Sequence, residues 1–205
     1  MRKTDVIVCG GGPAGVAAAI TAASCGAKVS LVERYNALGG LTTMGYVTTI
    51  PLPPSNQPKV LKSVLKELSK IGRLHKFKKG KIKVVACNPE TLKLALDEMA
   101  VRAGVDVFFE TVVVRCTSSY GEIKKIMVKD GGGTWECSAP VVIDATGDGE
   151  VASAAGVPFR MEKNKLLPVT LMYMIGGADN ERFQSYLCKD PELKTAAQKA
   201  RFRYR

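Results

Sequence analysis

The sequence is poor in the side chains from which metal centres and proton relays are most often built. It contains one histidine, His75, in 205 residues, and its six cysteines form no C-x-x-C pair and no metal-ligand spacing. We therefore expect no metal site, and no Ser/His/Asp arrangement can be proposed. His75 lies in a lysine-rich stretch, where a solvated histidine is the expectation.

Long apolar runs are also absent. No stretch of about 20 apolar residues occurs, so no membrane-spanning helix is predicted. The N-terminus has a basic start, but Asp5 and a Gly/Pro cluster interrupt its apolar stretch, which argues against a secretory signal. With 46% hydrophobic and 24% charged residues, the composition is that of a globular protein. We expect a cytoplasmic protein with reduced cysteines.

Acidic residues are scarce and the positive charge is concentrated. The chain has 30 Lys and Arg against 19 Asp and Glu, and residues 59–83 hold ten of the former and only Glu67 of the latter. An amphipathic helix is predicted over 58–72, followed by a lysine-rich loop, KFKKGKIK. The helix is expected to turn its apolar residues inward: Val60, Leu61, Val64, Leu65, Leu68 and Ile71. The concentrated positive charge has three competing interpretations: a solvated surface, an entrance that attracts anionic substrates, or a nucleic-acid contact. Because Phe77 is the only aromatic residue in 59–83, we expect no nucleic-acid binding.

A glycine cluster follows the first apolar run of the chain. Residues 5–15 read DVIVCGGGPAG, in which residues 6–8 form a short apolar run typical of a buried parallel strand. An alanine-rich helix is predicted over 14–26. The glycines form Gly10-x-Gly12-x-x-Gly15 between strand and helix, which is the spacing of a dinucleotide-binding turn. A turn that binds no ligand is the alternative.

Each residue of this motif has a mechanical role. Gly10 permits a tight turn, Gly12 lets the backbone approach a pyrophosphate, and Gly15 lets the helix pack closely on the strand. The first turn of the helix then presents unpaired N–H groups to the phosphates. A second strand is predicted over 28–32, and Glu33 at its end stands where a ribose-binding acid is expected. Its charge would repel a 2′-phosphate, which disfavours NADP and leaves NAD and FAD open.

Four further stretches bear on that choice: VERYNALGGLTTMG, NPETLKLALDEMAVRAGVDVFFETVVV, VVIDATGDGEVASAAGVPF and VTLMYMIGG. They occur in the order seen in FAD-dependent oxidoreductases. Glu33-Arg34 followed by Gly39-Gly40 resembles the FAD-binding N-terminus of glutathione-reductase-like and fumarate-reductase-like flavoproteins. The resemblance covers residues 4–178 and implies FAD as the cofactor. Disulfide reductases of the wider group carry a cysteine pair after the second glycine motif, and its absence from 41–49 excludes that subclass.

The resemblance also implies which residues contact the cofactor. The second glycine pair would lie near the pyrophosphate and the flavin end, and the backbone of Val113 would lie against the adenine. The small residues after Asp144 would form a second nucleotide-contacting strand end; the alternative there is a strand followed by a helix that Asp148 caps. The implied cofactor-binding residues are Gly10, Gly12, Pro13, Ala14, Gly15, Glu33, Arg34, Gly39, Gly40, Leu41, Val113, Ala145, Thr146 and Gly147.

The middle of the chain predicts the remainder of an α/β sheet. Asn88 is expected to cap a helix over 89–103, which Gly104 ends. The other strands are predicted at 105–110 and 141–143 in a parallel sheet, and at 111–117, 122–129 and 133–138 in an antiparallel meander. The fold class expected is α/β: a Rossmann-like FAD/NAD(P)-binding domain with a parallel sheet and an antiparallel crossover meander, plus a partial substrate domain.

The domain organisation follows from these elements. Residues 1–43 and 89–155 would form the FAD-binding domain, 44–88 an inserted helical, lysine-rich segment, and 156–205 the start of a substrate domain. In the last, a strand is predicted over 169–176 and a helix over 180–187. The resembling fold normally returns to its first sheet with a further strand, which we do not find. Three explanations for the missing strand stay open: the chain is a fragment, it is a truncated product, or it is a subunit that another chain or a second copy completes.

The chemistry expected is that of a flavoprotein, in which a hydride passes between a small-molecule substrate and FAD. The substrate would be anionic if the lysine-rich segment forms its entrance. No catalytic acid or base can be selected, since Tyr46, Tyr173 and Arg160 are conceivable near a substrate but equally suit packing or surface positions. A non-catalytic nucleotide-binding chain and an NAD-dependent dehydrogenase are the alternative functions.

Overall fold

The structure is a computed structural model that describes residues 4–71, 74–79 and 81–160, together with 169–172, 174, 176, 177, 179, 181, 182 and 185. The chain divides into two compact units, residues 1–170 and 171–205. All elements named below belong to the first. In chain order they are β1 (Val6–Cys9), α1 (Pro13–Ser24), β2 (Val29–Val32), β3 (Thr49–Leu52), α2 (Lys59–Ile71), β4 (His75–Lys79), β5 (Ile82–Ala86), α3 (Pro89–Ala103), β6 (Asp106–Phe108), β7 (Val112–Ser119), β8 (Glu122–Asp130), β9 (Gly133–Cys137), β10 (Val141–Asp144) and α4 (Glu150–Ala154).

The central sheet is parallel, with the strand order β10-β1-β2-β6. β1 lies between two neighbours, so that Val6 pairs with Val29 of β2 and with Val141 of β10. Every residue of β1 and β2 is buried, as continuous apolar runs predict for strands covered on both faces. The α/β class and the Rossmann-like architecture expected from the sequence are confirmed.

The alternation of side chains along β1 serves two separate apolar cores. Val6 and Val8 pack with the helices α1, α2 and α3, whereas Ile7 and Cys9 pack with the antiparallel strands β7–β9. Residues of the segment 44–88 share the helical core with β1: Val64, Leu68 and Cys87.

The two long helices that face the sheet begin differently. At α3, the side chain of Asn88 accepts hydrogen bonds from the backbone N–H groups of Glu90, at 2.8 Å, and Thr91, at 3.3 Å. Gly104 ends this helix in the left-handed conformation, with φ +75°. Both features match the sequence prediction. At α1, the cap residue is Gly12 and no side chain caps the first turn.

The lysine-rich stretch KFKKGKIK, predicted as a loop, is instead part of an antiparallel hairpin. β4 pairs with β5, and β3 pairs with the other edge of β5 to complete a three-stranded sheet. The prediction failed because the end of this hairpin is exposed on both faces, so the stretch lacks the apolar alternation of a half-buried strand. β3 was not predicted either; it contains Pro51, which edge strands tolerate.

Further differences concern element ends and the C-terminal third. Val64 and Leu68 of α2 are buried as predicted, but Ile71 is 42% exposed because it is the last residue of the helix. A strand was predicted over 169–176, but the described residues of this range are not in strand conformation. None of the described strands pairs with them. The helix predicted over 180–187 lies mostly outside the described residues. Within the described ranges, no helix is both long and apolar enough to cross a membrane.

Candidate functional site

The carboxyl ends of β1, β2 and β10 meet at the glycine turn. The Gly10 N–H donates to the carbonyl of Val32 at 2.7 Å, and the Ala145 N–H donates to that of Cys9 at 2.8 Å. Gly10 has φ +101°, and a methyl group added there would overlap the backbone of Ala145. Glycine is therefore required at Gly10 both for its backbone conformation and for the close approach of β10.

Gly15 and Gly12 occupy very different surroundings, although both belong to the motif. A methyl group at Gly15 would overlap the carbonyl oxygen of Gly10, so α1 can pack this closely on β1 only with glycine at this position. A methyl group at Gly12 would meet no heavy atom within 4 Å. Gly12 thus faces open space at the start of a helix whose first turn has no side-chain cap and no acidic residue. An anion is the natural partner for such a helix start.

Glu33 lies beside this turn, at the end of β2, and is only 4% exposed. Its carboxylate accepts hydrogen bonds from the N–H groups of Gly11 and, at 2.9 Å, of Tyr35. Its own N–H donates to the carbonyl of Phe108 at 2.9 Å, which ties the end of β2 to β6. A carboxylate has about four lone-pair positions, so about two remain available to a ligand.

The second glycine pair packs directly against the first. The Gly39 N–H donates to the carbonyl of Gly11 at 2.8 Å, and a methyl group on Gly40 would lie 3.0 Å from the Cα atom of Gly12. Behind the pair, the buried hydroxyl of Thr43 donates to the carbonyl of Leu38 at 2.6 Å. The two glycine segments therefore form one continuous backbone surface.

Asp144 organises the loop that follows β10. One carboxylate oxygen accepts from the N–H, at 3.1 Å, and the hydroxyl, at 2.7 Å, of Thr146. The other accepts from the N–H of Ala152 at 2.9 Å. The Thr146 hydroxyl in turn accepts from the N–H of Glu150 at 3.0 Å. Burial alone would raise the pKa of Asp144, but the hydrogen bonds from Ala152 and Thr146 bring the pKa below its ordinary value.

An ion pair closes one side of the site. The guanidinium of Arg34, which follows Glu33, contacts the carboxylate of Glu150 at the start of α4. Both side chains are about one third exposed, at 37% and 36%. The pair therefore contributes little to the stability of the fold, but it links the end of β2 to the loop after β10.

These segments enclose a cleft of about 720 Å³, within the size range of cofactor pockets. Most of the predicted cofactor-binding residues line it: Gly10, Gly12, Pro13, Ala14, Glu33, Arg34, Gly40, Leu41, Val113, Ala145, Thr146 and Gly147. The other two, Gly15 and Gly39, lie behind the lining and set the positions of Gly10 and Gly11.

Several residues of the site were not found from the sequence. The additional lining residues are Cys9, Val32, Tyr35, Met44, Gly45, Thr111, Val112, Asp148 and Glu150. Asp144 supports the lining through Thr146, and an aspartate two residues before a threonine is a turn signal that could have indicated this. Of the conceivable catalytic residues, Tyr46 and Arg160 do not line the cleft, and Tyr173 lies outside the described residues.

The thiols beneath the cleft are buried and separate. Burial, with smaller effects from Cys137 and Cys116, raises the pKa of Cys9 to about 12, and burial raises that of Cys137 to about 11. Cys116 of β7 and Cys137 of β9 both pair with Ile126 of the strand between them, β8. The two cysteines are therefore separated by two strand spacings of about 4.8 Å each. That separation is too large for a disulfide. The described cysteines are free, as expected, and Cys188 lies outside the described residues.

A family model described as FAD dependent oxidoreductase matches residues 5–204. The chain belongs to this family. Its cofactor is accordingly FAD, as the resemblance implied, and not the NAD that the glycine motif alone left open. The geometry of the cleft is compatible with this cofactor, because Gly12 faces open space at an uncapped helix start and Glu33 retains acceptor positions.

Solved structures resemble the same part of the chain. A flavoprotein/dehydrogenase from Cytophaga hutchinsonii is 24% identical, with 76% of this chain and 42% of that chain covered and a TM-score of 0.53. A geranylgeranyl bacteriochlorophyll reductase-like protein from Thermoplasma acidophilum is 21% identical, with 82% and 44% covered and a TM-score of 0.55. The p-nitrophenol 4-monooxygenase of Pseudomonas putida is 14% identical, with 76% and 44% covered and a TM-score of 0.58.

These similarities establish the fold and leave the reaction open. This chain spans less than half the length of each of the three proteins. Their names describe a dehydrogenase, a reductase-like protein and a monooxygenase, which are different uses of a flavin.

Proposed function

We propose that the chain binds FAD along this cleft and acts in the oxidation of a small-molecule substrate by hydride transfer to the flavin. The observation that carries the proposal is the position of the buried Glu33 carboxylate beside an uncapped, glycine-lined helix start. An acceptor for a ribose diol and donors for a pyrophosphate are thereby adjacent in one cleft.

The ADP part of the cofactor is assigned to the first two strand ends. The pyrophosphate would lie over Gly12, where no Cβ atom intervenes, and would accept hydrogen bonds from the first turn of α1. Glu33 would accept from the ribose hydroxyls with its remaining lone pairs. The nearness of Gly11 to Glu33 supports this assignment, because it sets the ribose acceptor next to the phosphate donors.

The two ends of the cofactor are assigned to the other segments of the cleft. Val113 pairs with Val128 directly before a register shift of β7 and lines the cleft, where its backbone would meet the adenine edge. Arg34, held by Glu150, would cover that end. The flavin end would lie toward Gly40 and Leu41, whose side chain is 70% exposed, and toward the loop at Ala145–Gly147.

When bound, FAD would supply the difficult chemistry, which is the acceptance of a hydride from a substrate carbon. The described residues that line the cleft would position the cofactor. We assign no catalytic acid or base, because neither Tyr46 nor Arg160 lines the cleft. The anionic character of the substrate, the cytoplasmic location and the domain boundaries given above stay predictions.

The proposal is tested by titrating the purified chain with FAD and comparing Glu33→Gln with Glu98→Gln. Glu98 is an exposed carboxylate of α3 and does not line the cleft. Loss of a charged hydrogen bond should weaken FAD binding about 10- to 150-fold in Glu33→Gln and leave the control unchanged. Unchanged affinity in Glu33→Gln would contradict the assignment of the ribose.

The catalytic half of the proposal needs a separate measurement. Under anaerobic conditions, a substrate should bleach the oxidised-flavin absorbance of the FAD-loaded chain. Binding of ADP without any flavin spectrum would instead favour the non-catalytic nucleotide-binding alternative.

A further inference from the structure

The hairpin formed by β4 and β5 carries a dense positive charge that the cofactor cleft does not use. Residues 75–83 contain five lysines and no acidic residue. Lys76, Lys78, Lys81 and Lys83 are exposed, and none of them forms an ion pair with another described residue. No residue of this hairpin lines the cofactor cleft.

The pairing register sorts the exposed residues onto two faces. Phe77 pairs with Val84 and Lys79 with Ile82, so Phe77, Lys79 and Ile82 occupy positions on one face. Lys76, Lys78 and Lys83 share the opposite face. Phe77 is 44% exposed and Ile82 is 55% exposed, whereas Val84 and Val85, nearer the body of the sheet, are buried. The end of the hairpin is therefore amphipathic, with both faces in solvent.

Protection of a sheet edge explains only part of this pattern. Lysines on an edge strand such as β4 prevent pairing with other chains, which accounts for Lys76 and Lys78. Lys83 lies on the central strand β5, directly opposite Lys78, where like charges destabilise the pair. Edge protection also gives no reason to expose Phe77 and Ile82 together. A partner that offers both negative charge and an apolar layer accounts for all of them.

We propose that the end of the β4–β5 hairpin docks onto an anionic lipid bilayer. Phe77 and Ile82 enter the boundary between headgroups and acyl chains, while Lys76, Lys78 and Lys83 on the other face lie at the level of the lipid phosphates. The long lysine stems let the ammonium groups reach phosphates at several depths. A nucleic acid is disfavoured because Lys76, Lys78 and Lys83 lie on the face opposite Phe77, so a strand whose bases stack on the ring would leave these three lysines without a partner.

The experiment is flotation of the full chain with vesicles of phosphatidylcholine alone or mixed with phosphatidylserine. Binding is expected only to the mixed vesicles. Lys76→Gln/Lys78→Gln should weaken it about 25-fold, since each lysine near an anionic surface contributes a factor of about five. The control, Lys124→Gln/Lys129→Gln, removes the same charge from β8 and should bind like the unmodified chain.

The apolar contribution is measured with Phe77→Thr/Ile82→Thr, which keeps good strand formers in place. This variant should lose about tenfold or more in vesicle binding. Leu94→Gln/Val101→Gln removes exposed apolar side chains from α3 and should have no effect. Retained FAD binding in every variant checks that the fold is intact.

Two results would overturn the proposal. One is absence of binding to phosphatidylserine vesicles at low salt. The other is a pair of findings: Phe77→Thr/Ile82→Thr binds the vesicles as tightly as the unmodified chain, and a fluorescent oligothymidylate binds equally tightly. The hairpin would then be a surface for polyanions in general.

Discussion

Gly12 and Gly15 have opposite functions that the sequence motif does not distinguish. Gly15 is required by the fold, since its missing side chain lets α1 contact the Gly10 carbonyl. Gly12 faces the cleft and leaves the fold room for a larger residue. The Gly10-x-Gly12-x-x-Gly15 motif therefore contains one glycine that helix packing requires, Gly15, and one that we propose the ligand requires, Gly12.

Alanine at these two positions should separate stability from binding. Gly15→Ala should lower the free energy of unfolding by about 1–3 kcal/mol or more, because α1 must move away from β1. Gly12→Ala should keep the melting temperature, because its φ of −66° suits alanine, but should weaken FAD binding. Thermal melting and FAD titration of both variants check this, and the same loss of stability in both would contradict it.

The cysteines should differ sharply in reactivity. Cys9 and Cys137 are buried with pKa values raised to about 12 and about 11, whereas Cys25 is exposed. The thiolate is the reactive form, so iodoacetamide at pH 8 should modify Cys25 in the native protein and leave Cys9 and Cys137 unmodified. Peptide mass spectrometry before and after unfolding measures this. Native modification of Cys9 would show that β1 is accessible.

At the scale of single residues, the sequence predicted many of the residues that line the cleft, and their contact with FAD stays a prediction. Gly10, Gly12 and Glu33 were identifiable because the backbone conformation and the charge that a dinucleotide needs restrict the residue type. Tyr35, Thr111 and Glu150 were not identifiable, because they reach the cleft through chain reversals whose geometry no local pattern encodes.

At the scale of elements, the loop between β10 and α4 depends on one carboxylate. Asp144 accepts from Thr146 and from Ala152, which spans the whole turn into α4. The residue directly before α4 is Gly149, which has no side chain to cap the helix. The sequence predicted the strand and the small residues here, but not that Asp144 holds them.

Removal of this carboxylate should change stability in a pH-dependent way. The pKa of Asp144 is lowered in the folded state, so its stabilisation is fully present above the unfolded pKa of about 4 and is lost as the pH falls through the folded value. Asp144→Asn should therefore melt at a lower temperature than the unmodified chain at pH 7, and the two should converge in strong acid. Glu98→Gln is the control. A difference that does not depend on pH would indicate a loss of shape rather than of charge.

The strands of the small sheet show where sequence patterns fail. β1 and β2 were predicted because burial on both faces produces an uninterrupted apolar run. β4 was not, because His75, Lys76, Phe77 and Lys78 are all exposed. Its strand conformation comes from pairing with β5, which leaves no trace in the hydrophobicity of β4.

At the scale of the whole molecule, most of the described cleft is assigned to the ADP part of the cofactor, and only Gly40, Leu41 and the loop 145–147 are assigned to the flavin end. We therefore predict that this 205-residue chain binds FAD with an affinity close to that for ADP. Competition of ADP against FAD, followed by fluorescence, measures the ratio. FAD binding more than about a hundredfold tighter would mean that the flavin ring itself makes contacts worth about 2.7 kcal/mol.

The pairing of β1 with β10 sets an order of events during synthesis. About 135 residues separate Val6 from Val141, its partner. At about 5–20 residues per second, a ribosome needs roughly 7–27 s to make that interval. Until β10 is made, the edge of β1 that faces away from β2 keeps its backbone N–H and C=O groups unpaired, so other nascent chains or a chaperone can reach it. Because Gly10 takes its final position against Ala145, nascent chains that end before this point cannot complete the dinucleotide turn.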